Sequence, residues 1–85
     1  MSFFVYLLIT KQKNKVISYV GYTSDIKKRL KLHNLSKGAK FTKGKKWDLV
    51  YSKKCHTKSI AMSEEFKLKK NYKLRKLIKE KYILS

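Results

Sequence analysis

A chain of 85 residues is one small domain, and its formal charge of +18, from 23 basic against five acidic residues, is too large to be incidental at that size. Self-repulsion at this level costs stability and is relieved by a polyanion, which puts nucleic acid first among partners and an anionic membrane surface second. A single cysteine excludes an internal disulfide and a cysteine-built zinc site and fits a reducing, intracellular compartment, while the apolar run from Phe3 to Ile9 is too short to span a bilayer and lacks the basic flank of a signal peptide.

Phe3-Phe4-Val5-Tyr6-Leu7-Leu8-Ile9 reads as a buried strand, apolar on both faces. Lys11 to Lys15 is a polar turn, and Val16 to Val20 is a second strand. So short a link makes an antiparallel hairpin, which puts Tyr6 and Tyr19 in adjacent strands and leaves their register open. Gly21 interrupts the β-formers, as glycine does where a chain bends or another backbone comes close. A helix then follows through Ile26 to Asn34, with Thr23 or Ser24 expected as its cap and Asp25 in its first turn. Ile26, Leu30 and His33 share one stripe of that helix. Arg29 lies at its edge, four residues before His33 and so its neighbour.

Ser36 to Lys46 is a basic, glycine-containing loop. Its Lys40, Lys43, Lys45 and Lys46 are candidate phosphate contacts. Phe41 has two readings, a platform for a base or a ring tucked onto the core, and the core is the expectation. Trp47 to Tyr51 is a third strand. Thr57 caps a second helix running to about Lys70, and Tyr72 to Tyr82 is a third, with Leu74, Leu77, Ile78 and Tyr82 on one face. The order β-β-α-β-α-α predicts a single α+β domain with a three-stranded antiparallel sheet flanked by helices.

Two helices carry residues with chemistry to offer. Only Arg29 and Arg75 among the 23 basic residues are arginine. Where any positive charge serves, this chain uses lysine, so Arg29 suggests a need for the planar fork that grips phosphate; the alternative is a plain surface charge. His33 on the buried stripe is either a satisfied core residue or a proton carrier. His56 falls in a polar link and is expected to be solvated. In the second helix, at about 100° per residue, Leu68, Ala61, Tyr72, Met62 and Phe66 form one apolar arc. Glu65 falls inside that arc and Glu64 outside it. A carboxylate there is costly unless it is paired, as with Lys69 four residues on, or holds a hard cation such as Mg2+. Glu65-Phe66-Lys67 also matches the E-x-K string of another nuclease class, but residues two apart on a helix point to different sides.

Together these segments resemble the GIY-YIG nuclease superfamily, in particular its short stand-alone bacterial and viral members. Phe4-Val5-Tyr6 stands where the GIY triplet should be, with only the tyrosine matching. Tyr19-Val20-Gly21 stands for YIG. Thr23, Asp25, Ile26, Arg29, Leu30, His33 and Asn34 make the most specific segment. Gly38 to Gly44 resembles the family's basic loop, and Ala61 to Lys69 its glutamate-bearing helix; the likeness runs from about Phe4 to Ile78. The resemblance implies phosphodiester hydrolysis with a single divalent ion, Mg2+ or Mn2+. It implies Tyr6 as the group that activates water and His33 as its orienter or proton acceptor. Tyr19 would position water or phosphate, Arg29 would stabilise charge, and Glu65 would hold the metal. Asn71 is the candidate for an asparagine that some relatives add. The activity so implied is a DNA endonuclease, structure-specific like the nearest functional cousins. The alternatives are a non-catalytic nucleic-acid-binding module that keeps the fold, and a nuclease subunit whose specificity comes from a partner protein.

Overall fold

In the computed structural model, which describes residues 2–84, strand β1 (Phe3–Gln12) lies between β2 (Lys15–Thr23) and β3 (Asp48–Cys55), antiparallel to both. The central place accounts for its sequence, since Val5 to Thr10 are buried without interruption. Helices α2 (Lys58–Lys70) and α3 (Tyr72–Leu84) cover one face, where Val5, Leu7 and Val20 meet Ala61 and Leu68, flanked by Leu74 and Ile78. On the other face Tyr6, Leu8 and Trp47 pack with Ile17, Tyr19 and Leu30, the last from α1 (Ile26–Asn34). Among the described residues no helix is long and apolar enough to cross a membrane.

The order β-β-α-β-α-α and the three-stranded antiparallel sheet are as predicted. Several boundaries move: β1 and β2 run further than expected, β3 is shifted to Asp48–Cys55, and α3 continues to Leu84 rather than Tyr82. The β1–β2 ladder continues past the apolar residues, from Gln12 opposite Lys15 to Phe4 opposite Thr23, because backbone pairing needs no apolar side chain. Gly21 therefore lies within a strand rather than at its end. With β2 running on to Thr23, the cap falls one residue later than expected. Asp25 is itself the N-cap, its Oδ1 accepting from the Lys28 amide at 3.1 Å, while the Thr23 hydroxyl accepts from the Asp25 amide at 3.1 Å. Trp47 precedes β3 and packs on the α1 face of the sheet with Tyr6 and Leu8. Its amide donates to Asn34 Oδ1 at 2.6 Å and its indole N–H to the Thr42 carbonyl at 3.0 Å.

Thr57 caps α2 as expected, accepting from the Ile60 amide at 3.1 Å. Asn71 is a joint between helices: it ends α2, and its Oδ1 accepts from the Leu74 amide at 3.1 Å to start α3. Arg75 also has a structural task. Its guanidinium donates to the Lys69 carbonyl at 2.6 Å, satisfying an orphan acceptor at the C-terminal end of α2.

Candidate active site

The hairpin register answers the question the sequence left open. Tyr6 is opposite Gly21 and Leu8 is opposite Tyr19, so both tyrosines project from the same face, with ring centroids 6.5 Å apart. A Cβ on Gly21 would lie 2.4 Å from Tyr6 Oη. The glycine is thus neither a bend nor a site of backbone contact; it makes room for the phenol.

Helix α1 presents His33 to that phenol. Nε2 of His33 lies 2.9 Å from Tyr6 Oη, and Nδ1 lies 2.8 Å from Thr42 Oγ1. The imidazole is 1% exposed. The loop behind it fits closely: a Cβ on Gly38 would lie 2.3 Å from Nδ1. Burial pushes the Tyr6 phenol well above its ordinary value, with Tyr19 and Glu65 adding to the shift and Arg29 opposing it. Burial likewise holds His33 below its ordinary value, and the Arg29 guanidinium adds to this. Both groups are neutral at rest.

The depressed His33 has a consequence for stability. The unfolded chain takes up the proton first as pH falls below about 6.5, the ordinary value for histidine, so the folded state loses stability with acidification in that range. Melting temperature is expected to drop between roughly pH 7 and pH 5, before carboxylates titrate. His33→Gln should flatten this slope. An equal slope in the variant would assign it to another group.

Tyr6, Tyr19 and Arg29 line an open cleft of about 420 Å³ together with Thr23, Ser24, Lys58 and Glu65. Four of the five residues picked out in the sequence therefore face one space, and the fifth, His33, stands behind Tyr6. Lys58 is an addition. One lysine among so many carries no signal in the sequence, and only its place in the first turn of α2, at the cleft wall, distinguishes it.

The two glutamates part company, though not for the reason expected. The buried residues of α2 are Ala61 and Leu68 alone; Met62, Phe66 and Tyr72 are 50%, 59% and 72% exposed. These three flank the seat of the helix, and the two aromatic rings lie under cations instead. Lys70 stands 4.3 Å from the Phe66 ring centre and Arg75 5.5 Å from that of Tyr72. Glu64 and Glu65 are about equally shielded, at 22% and 20% side-chain exposure. What separates them is direction. Glu64 pairs with Lys53 and, at 3.8 Å, with Lys67, in a different cleft that Asn71 also lines. Glu65 pairs with Lys69 at 3.5 Å and faces Tyr6 and Arg29. Lys67 thus goes with Glu64 and not Glu65, which disposes of the E-x-K string. Asn71 is engaged in capping and lines that other cleft, not the one that holds Tyr6 and Tyr19.

Among the described residues Glu65 is the only carboxylate lining the cleft of Tyr6 and Tyr19. Among the described residues no group of three or more histidine, cysteine, aspartate or glutamate side chains could hold a metal. That donor set does not suit an all-protein cage. It does suit Mg2+ or Mn2+ held by one carboxylate, several waters and a substrate phosphate, the usual arrangement for a hard ion at a phosphoryl site.

The basic loop turns one side chain inward, and it is Thr42, fully buried, rather than Phe41. Phe41 is 52% exposed, contrary to the core expectation. Its ring stacks on Tyr19 at 6.1 Å and 21°, and the Lys45 ammonium sits 5.5 Å from its centre. Lys40, Lys43 and Lys46 are exposed and Lys45 is half-buried. Sequence reasoning missed both Thr42 and Gly38. Threonine is unremarkable in a polar loop, and Gly38 does not adopt the left-handed backbone that Gly44 does, so only the approach to His33 explains it.

A family model described as the GIY-YIG catalytic domain matches residues 2–81. The chain is 37% identical over 75 residues to the UPF0213 protein OB0043 of Oceanobacillus iheyensis, covering 87% of this chain and 84% of that one. It is 39% identical over 83 residues to a UPF0213 protein of Bacillus velezensis, covering 96% and 78%. A UPF0213 protein of Staphylococcus saprophyticus is 40% identical over 73 residues, covering 85% and 88%. No solved structure matches the chain.

Proposed function

Because the chain belongs to the GIY-YIG catalytic domain family, we propose that it is an endonuclease that hydrolyses DNA phosphodiester bonds with one divalent ion, Mg2+ or Mn2+. The observation that carries this reading is the hydrogen-bonded Tyr6–His33 pair set against a cleft that also holds Tyr19, Arg29 and Glu65.

Each residue has a task its chemistry suits. Glu65 would hold the ion, which supplies charge neutralisation on the phosphate and a more acidic water. Arg29 offers its fork to phosphate oxygens where charge accumulates. Tyr6 takes the proton of the attacking water, and His33 Nε2, 2.9 Å away, receives the phenol's own. A phenol buried as Tyr6 is would be a poor base alone, so the acceptor behind it is essential to the scheme. Tyr19 bounds the cleft and positions water or phosphate. Lys40, Lys43, Lys45 and Lys46 bind the backbone of the nucleic acid without reading sequence. The exposed Phe41 beside them offers a stacking surface for an unpaired base, which favours flapped or branched substrates over plain duplex.

The test is incubation of the pure protein with Mg2+ or Mn2+ and a panel of labelled linear, flapped and branched DNAs. Ion-dependent cleavage that a chelator stops is the expected result, with binding that weakens by orders of magnitude as salt rises if roughly six or more phosphates are contacted. Salt-sensitive binding with no cleavage of any substrate would leave the non-catalytic module, or a subunit that requires a partner protein. Arg29→Lys separates the role of the fork from that of charge. Cleavage should fall by about 100-fold or more while DNA affinity stays within a few-fold, since many other cations hold the backbone. Wild-type kinetics in that variant would make Arg29 a surface charge.

A further inference from the structure

We propose that Thr42 is a positioning residue for this reaction: it fixes the tautomer of His33 so that Nε2 is the bare nitrogen facing Tyr6. The proposal rests on the reading of Tyr6 and His33 given above.

The direction of each hydrogen bond follows from counting protons. A threonine hydroxyl has one proton to give. Thr42 Oγ1 lies 3.0 Å from the Ala39 carbonyl oxygen, which can only accept, so the proton is committed there. The same Oγ1 lies 2.8 Å from His33 Nδ1 and must accept from it, so Nδ1 carries the hydrogen. A neutral imidazole has a single N–H, so Nε2 presents a lone pair. Tyr6 Oη, 2.9 Å away, is then the donor. The chain runs one way: Tyr6 to His33, His33 to Thr42, Thr42 to the backbone of Ala39.

This order matters for turnover. With the opposite tautomer Nε2 would donate to Tyr6, and the phenol would have nowhere to send its proton. With the tautomer set by Thr42, Tyr6 passes its proton to Nε2 as it takes one from water. The resulting imidazolium keeps its Nδ1–H on Thr42, so nothing further need move, and the proton returns to solvent by the same route.

The loop is built to hold this arrangement. Thr42 is 0% exposed, so no solvent water stands in for its hydroxyl. Its carbonyl is pinned by the Trp47 indole at 3.0 Å. Gly38 closes the loop onto the Nδ1 edge of the ring, where a Cβ would stand 2.3 Å from that atom. A segment that looked in sequence like a nucleic-acid clamp thus has a second, inward task.

Thr42→Val keeps the shape and removes the hydroxyl; Thr42→Ser keeps the hydroxyl. Two readouts apply. In wild type, nitrogen NMR of labelled histidine should show His33 protonated at Nδ1 and bare at Nε2 near neutral pH, with exposed His56 as the internal comparison. Thr42→Val should mix or reverse that tautomer and lower kcat about 100-fold or more, with KM and DNA affinity little changed. Thr42→Ser should restore both. A wild-type His33 protonated at Nε2, a Thr42→Val enzyme with normal kcat, or a folded Thr42→Ser enzyme as slow as Thr42→Val would each overturn the proposal. The tautomer is read in the free protein, so it is decided even if no DNA is cleaved. That separates its failure from failure of the nuclease reading, and it holds if Thr42→Val does not fold.

Discussion

Glu65→Gln is expected to abolish ion-dependent cleavage, a fall of about 1,000-fold or more, while DNA binding stays equal or becomes slightly tighter. Glutamine has the same size and can still hydrogen-bond, but it lacks the charge a hard divalent ion requires. Stability should change little. The partner left behind is Lys69, whose side chain is 54% exposed and returns to water, so no cation is stranded in the interior. Glu64→Gln is the control. Lys53 holds that carboxyl below the usual range through a hydrogen bond, but the pair is solvent-facing and its cleft is lined by none of Tyr6, Tyr19 and Arg29. Cleavage and thermal unfolding of both variants decide the assignment. Full activity in Glu65→Gln removes Glu65 from the chemistry, and equal losses in the two variants point to a general disturbance of α2.

The element order was legible in the sequence because strands and helices here are marked by periods and caps that local chemistry fixes, as at Thr57. The strand-turn-helix segment from Tyr19 to Asn34 likewise announced Arg29 and His33, since a scarce arginine and a histidine on an apolar stripe are compositional anomalies. What could not be read was contact between segments. The register that places Tyr6 beside Gly21 is a property of two paired strands, and no residue in either strand states it. Gly21 looked like a turn because glycine has several uses, and only the phenol lying where a Cβ would go selects one. The arc on α2 misled because a helical wheel gives angular order and not depth. Ala61 and Leu68 seat the helix, and Phe66 and Tyr72 find cover under basic side chains instead of in the core. Thr42 was invisible for the same reason as Gly21: its value lies in what stands opposite.

Tyr6→Phe should be as damaging to cleavage as any single change, by about 100- to 10,000-fold, because it removes the group that exchanges protons with water and leaves everything else in place. The ring, 3% exposed and packed with Leu8 and Trp47, is retained, so the sheet and α1 keep their contacts. The cost to the fold is narrower. His33 Nε2 loses the phenol placed against it, and an unsatisfied buried acceptor costs about 1–3 kcal/mol. In a domain of this size that lowers the melting temperature by roughly 4 to 20 °C, so cleavage is compared at a temperature below the variant's own transition. DNA binding should hold, since Tyr6 is not among the cations that grip the backbone. The stronger test combines this change with Thr42→Val. If Thr42 acts only by preparing His33 to accept a proton from Tyr6, then once the phenol is gone the threonine has nothing left to contribute to the rate. Thr42→Val should slow the wild-type enzyme but add nothing to Tyr6→Phe. Residual activity in the double variant that falls by the product of the two single effects would mean that the residues act independently and that the relay from Tyr6 through His33 is not the path the proton takes.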